Sequence, residues 1–232
     1  MLLYKGWLES RTRFLLSAAT IAGLSALFVF MNRDARAAVT DRDVTYVQYL
    51  WSAIYKGYLR DIFVVVVLLL GMGGLGREQA YGTAGFTLTL PVSRWRHIVT
   101  RAAIGLVEST VIALLPAALL PLLSPVVNET YSWSLALHFA VLWAFGGAFI
   151  FSIGFLASVL FIGEYSAPIA GVAFLFAYSI VTDLPGVERY VIDIHDFMKA
   201  TGPHGLSTLA TITASAITLI AVAGRITAKG DF

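Results

Sequence analysis

Six apolar runs, each near the length that a helix needs to cross a bilayer, divide this chain from end to end. A hydrocarbon core of about 30 Å takes about 20 helical residues. Within that core no water can satisfy a backbone amide or carbonyl, so runs of this length read as helices rather than strands. They cover residues 14–31, 60–76, 98–123, 133–162, 167–181 and 206–223. Composition agrees: 58% of the 232 residues are hydrophobic and 13% charged, whereas soluble domains are nearer half apolar and a quarter charged. The expectation is an all-α membrane protein with six transmembrane helices in one domain, residues 1–232. Six spans leave room for loops but not for a soluble catalytic domain.

Charge and cysteine content exclude several functions. A net charge of +2 with no polybasic run gives no basis for a nucleic-acid partner. The absence of cysteine removes disulfides, thiol catalysis and cysteine-bound metals. An even span count puts both termini on one side. Nine basic residues fall on that side and seven on the other, which favours N-in, C-in by the positive-inside rule. Ala35-Arg36-Ala37 after the first run also permits a cleaved signal peptide, against which stand Glu9 in the polar lead and an apolar run longer than the usual one.

Three segments are not spans. Residues 1–13 set Leu3, Tyr4, Trp7 and Leu8 against Lys5, Glu9, Arg11 and Arg13, a pattern for a short interfacial helix or a solvated tail. Trp7, Arg11 and Arg13, with Trp95 and Arg96 further on, are the expected interfacial anchors. Before the last run, Val187, Tyr190, Val191, Ile194, Phe197 and Met198 recur at helical spacing opposite Glu188, Arg189, Asp193, Asp196 and Lys199. Turn residues bracket them, so residues 183–204 read as an amphipathic helix on the outer surface, able to dip into the bilayer. The third segment, residues 77–101, places a short apolar element at Phe86, Leu88 and Leu90 before Pro91, which cannot continue a helix. Ser93 is positioned to cap the next helix, whose first turn is Arg94-Trp95-Arg96. A short element fixed between two spans is something a partner domain can push on; an ordinary connecting loop fits the same residues.

The run Glu78…Tyr81-Gly82-Thr83…Leu88-Thr89-Leu90-Pro91-Val92-Ser93-Arg94 resembles the stretch after the second span in type-2 permeases of ATP-binding-cassette (ABC) exporters. Lys5-Gly6-Trp7-Leu8-Glu9-Ser10-Arg11 is similar to that family's lead-in, apart from Gly6 in a stretch that is usually more helix-favouring. The resemblance implies a dimer, with a second copy or a related permease. Each permease would bind a separate ABC ATPase subunit that carries ATP and Mg, with no cofactor on this chain. It implies residence in the cytoplasmic membrane of a bacterium or archaeon. It further implies that residues about 80–93 form a cytoplasmic coupling helix, with Glu78, Gly82, Thr83, Phe86, Leu88, Leu90, Pro91, Val92, Ser93 and Arg94 as coupling residues. No residue of this chain would then do chemistry. In keeping with that, the sequence holds no G-x-x-x-x-G-K-[ST] nucleotide loop.

Other motifs give less. Gly71-Met72-Gly73-Gly74-Leu75-Gly76 fits G-x-G-x-x-G but has no acid about 20 residues on, and glycines in membrane helices serve close packing. As a nucleophile Ser207 would need a histidine base on a neighbouring span, for which His138, at the outer mouth of the fourth run, is the only candidate. Asp193, His195, Asp196 and His204 lack metal-ligand spacing. Glu164 either meets the ATPase or caps the fifth span at Ser166-Ala167-Pro168. Pro116, Pro121 and Pro125 are expected to kink or end the third span. Glu108 lies seven residues past Arg101, about 10 Å deep at helical rise. A carboxyl at that depth needs a partner or a wet cavity, so it is either a gate or substrate contact or one half of a pair. The competing readings are a self-contained channel or accessory subunit and, further off, a membrane enzyme. Substrate class is not encoded in any motif.

Overall fold

The computed structural model describes residues 2–31, 44–72, 93–161, 166–187 and 190–229. Among these every regular element is helical and none is a strand. Four helices are long and apolar enough to cross a membrane: α1 (Leu2–Phe30), α4 (Arg94–Leu123), α5 (Trp133–Leu160) and α8 (Leu206–Lys229). Between α1 and α4 come α2 (Tyr46–Leu50), a π-helical stretch (Trp51–Lys56) and α3 (Tyr58–Gly71). A 17-residue apolar helix, α6 (Ser166–Thr182), and the short α7 (Ile194–Met198) precede α8.

Helix α5 is the centre of the bundle, packing against α3, α4, α6, α7 and α8. In its most apolar stretch 67% of residues are buried, against 22% for α1 and for α8, so those two helices turn most of their apolar surface outward. Without a hydrophobic drive between helices in lipid, close packing of small residues must hold them. Gly71 and Gly154 do this where α3 meets α5: a Cβ on Gly154 would run into the Leu68 carbonyl, and one on Gly71 into the Phe151 carbonyl. Gly71 therefore belongs to a helix crossing. Large aromatics fill the space above: Tyr55 stacks on Phe139 at 3.9 Å, and Phe63 lies 4.5 Å from Trp143.

Several expectations change. Among the described residues four helices reach span length, where six spans were expected. The second run, 60–76, falls on the 14-residue α3 as far as Gly71; α3 begins just after Gly57, whose backbone leaves the helical region after the π-stretch, and residues 73–76 lie outside the described residues. The lead-in is no separate interfacial helix; α1 runs unbroken from Leu2 to Phe30. Nothing in residues 7–14 interrupts it, and Gly6 is used for close approach, since a Cβ there would collide with Ile104 of α4, its nearest atom 2.5 Å away. Helix α4 continues through Pro116 and Pro121 and ends in a 3-10 turn at Ser124–Val127, where Pro125 stands.

The segment before α8 also differs from one surface helix. Among its described residues only Ile194–Met198 is α-helical, because the Asp193 carboxylate accepts from the His195 amide at 2.7 Å and starts a helix there. Ile194, Phe197 and Met198 are fully buried, whereas Tyr190 is 88% exposed. A Cβ on Gly146 would lie 2.6 Å from Met198 Cγ, and Gly146 is about 20 Å along α5 from Trp133 at helical rise. The segment thus dips deep into the bundle. Trp51 fastens it by donating its indole N–H to the Lys199 carbonyl at 3.1 Å.

Candidate functional site

The start of α1 lies along the first half of α4, and the two run parallel. Gly6 faces Ile104, and one turn on, the Ser10 hydroxyl donates to Glu108 Oε1. This register buries Glu108 to 4% exposure, and Arg13 and Arg101 bring positive charge near it. Arg101 Nη1 also stands 3.6 Å from Glu9, which is 3.6 Å from Lys5. Two cations and a hydroxyl therefore offset part of the cost of burying this carboxyl group.

Arg13 joins this cluster to α3. Its Nη1 donates to the carbonyl of Met72 and, at 3.4 Å, to that of Leu69. These carbonyls stand at the helix end, where Leu69 O also accepts the Met72 amide at 3.2 Å, and a cation there complements the helix dipole. Arg13 is half-buried, turned between helices instead of anchoring at a membrane surface, while Trp7 and Arg11 remain exposed.

The far side of the 73–92 stretch is held as well. Ser93 accepts from the Arg96 amide at 3.3 Å and caps α4, as its spacing predicts. Arg94 is the first helical residue, and Arg96 is exposed. Trp95 packs on α8, where a Cβ on Gly224 would meet its ring. The starts of α1 and α4, the end of α3 and the end of α8 thus gather at one face of the bundle. Glu78, Gly82, Thr83, Phe86, Leu88, Leu90, Pro91, Val92 and Glu164 lie outside the described residues, as do Glu188 and Arg189.

What sequence reading missed is Ser10, the partner of Glu108 from 98 residues away. The signal available was Gly6 and Ser10, two small residues four apart on the lead-in, a spacing that marks a helix face for close approach. Among the described residues no group of three His, Asp or Glu side chains could hold a metal. Asp193 caps α7, Asp196 pairs with Lys199 at 2.8 Å, and His204 stacks edge-on against His138 with centroids 5.5 Å apart. No family model matches the chain, and no curated protein or solved structure matches it.

Proposed function

We propose that the chain is the membrane subunit of an ABC exporter, crossing the membrane six times with both termini inside and driven by a separate ATPase. The observation that carries this reading is the run from Glu78 to Arg94, which resembles the coupling segment of type-2 permeases. The described frame supports it. The run leaves α3 where Arg13 holds the last carbonyls, and re-enters at a capped α4 whose Trp95 is packed on α8. A push on such a segment would pass into α1, α3, α4 and α8 together instead of being lost in a loose connection.

Six crossings need α3 and α6 to serve as spans beside the four long helices. As a helix the second run, residues 60–76, would rise about 25 Å, and α3 forms its part up to Gly71. Helix α6 is 17 residues long and rises about 25 Å, a mismatch that local bilayer thinning accommodates at modest cost. The transported cargo crosses as ATP closes the partner subunits, and no residue here performs hydrolysis. Purification of the tagged chain from its native membrane tests the reading. A P-loop ATPase subunit should accompany it in stoichiometric amount with measurable hydrolysis. Recovery of the chain alone, active in transport, would favour a self-contained channel instead.

A further inference from the structure

Helices α6 and α8 both pack against α5 but scarcely touch one another. The segment that dips into the bundle crosses the gap between them, where the Tyr178 hydroxyl of α6 donates to the Ile192 carbonyl. A cavity of about 200 Å³ remains among these elements. Phe149 of α5, Tyr178, Ile192, and Thr211, Ile212 and Ser215 of α8 line it. Thr211 and Ser215 stand one turn apart on the same face of α8, and their short side chains leave the gap unfilled. The rings of Phe149 and Tyr178, with centroids 5.8 Å apart, close it on the α5 side. Ile212 is 4% exposed, whereas Thr211 is exposed and Tyr190, at the rim, is 88% exposed, so the cavity opens outward.

The walls select what can enter. They are mostly apolar, and among the described residues none is charged, so an ionic ligand finds no counter-charge. An ordered water takes about two to four hydrogen bonds. Tyr178 is committed to Ile192 and the Thr211 hydroxyl donates to the Ser207 carbonyl at 3.0 Å, which leaves Ser215 as the further hydroxyl inside. Left empty, the cavity would deprive its lining atoms of dispersion partners. A dry apolar cavity of about 150 Å³ takes a benzene-sized guest, and pockets for drug-sized ligands begin near about 300 Å³. The volume here suits one hydrocarbon chain. Position supplies it. Thr211 and Ser215 lie about 8 and about 14 Å along α8 from Leu206 at helical rise. In the most apolar stretch of α8 only 22% of residues are buried, so the mouth lies on a face turned to the hydrocarbon core. We propose that this cavity seats one acyl chain of a bilayer phospholipid, which enters sideways between α6 and α8. The site needs a membrane but no ATPase, and so goes beyond the exporter reading.

Photolabelling of the whole chain in nanodiscs tests it. The bilayer is phosphatidylcholine with a diazirine midway along one acyl chain, and adducts are mapped by mass spectrometry after illumination. Ile212 and Ile217 are the pair to compare, because both are isoleucines of α8 but Ile217 is 62% exposed on its outer face. With a chain seated in the cavity, Ile212 should be labelled at least as heavily as Ile217 despite its burial. Ser215→Phe, which fills the cavity, should cut the labelling of Ile212 at least severalfold and leave that of Ile217 unchanged. Labelling of Ile212 severalfold below Ile217 in the unaltered chain would overturn the proposal, whether or not the variant folds. So would labelling of Ile212 that a folded Ser215→Phe protein retains. A free fatty acid carrying the same diazirine is the third arm: if it labels Ile212 and the phospholipid at equal mole fraction does not, the bilayer phospholipid is the wrong occupant.

Discussion

Replacing Gly154 with alanine is a sharp test of how this bundle is held. The added Cβ would lie 3.3 Å from Leu68 Cδ1 and 3.2 Å from the Leu68 carbonyl carbon, with the carbonyl oxygen nearer still. The side chain can turn away, but the backbone cannot, so α3 must withdraw from α5 by about an ångström. A gap of that size forfeits about a quarter to a half of each dispersion contact it opens. Overpacking of this kind costs about 1–3 kcal/mol. For a chain of this length that is a Tm lower by about 2–12 °C. Gly23→Ala is the control: nothing lies within 4 Å of a Cβ there, and alanine gains up to about 1 kcal/mol in a helix interior. Thermal unfolding in nanodiscs, followed by far-UV circular dichroism, reads both. Gly71→Ala should resemble Gly154→Ala, and the double variant should cost less than the sum, since one displacement relieves both clashes. A Gly154→Ala protein as stable as Gly23→Ala would refute the close crossing.

The remaining predictions concern the polar contacts. Ser10→Ala removes the hydroxyl bonded to buried Glu108, and should destabilise by about 1–3 kcal/mol. In a double-mutant cycle most of that loss should vanish in a Glu108→Leu background, as measured by unfolding. His195 gives a pH dependence. Burial, then the Arg60 cation, hold its imidazole below the ordinary 6.5, with Lys199 adding to this and Asp193 and Asp61 opposing it. The unfolded chain therefore binds a proton that the folded chain refuses. The contribution is whole above pH 6.5 and is lost as pH falls from there towards the lower folded value. Tm should drop between pH 7.5 and 5.5, and His195→Gln should flatten that drop; an unchanged slope would exclude His195 as its source.

The long spans were legible because uninterrupted apolar length is itself the physical requirement. The runs 14–31, 98–123, 133–162 and 206–223 fall on α1, α4, α5 and α8. Hydropathy cannot tell whether a charge meets water or a neighbouring helix, and there the reading fell short. Glu9 and Arg13 looked like part of an interfacial tail; Glu9 faces Arg101 and Arg13 the end of α3 instead. Helical spacing over residues 187–199 likewise could not reveal that the Asp193 side chain begins the helix late. Glu108 stood out because a carboxyl at depth is costly. Its partner did not, because pairing depends on how α1 lies on α4. The buried Ser109 hydroxyl, which makes no hydrogen bond, is visible only once the neighbours are in place.

The proposed function rests on the Glu78–Arg94 run acting on a separate ATPase, and a charge placed at its apolar core tests that most directly. Leu90→Glu or Val92→Glu should leave the helical content and Tm of the bundle unchanged. Either should abolish ATPase association and substrate-stimulated hydrolysis in reconstituted membranes. Retention of both, in a folded variant, would contradict the account.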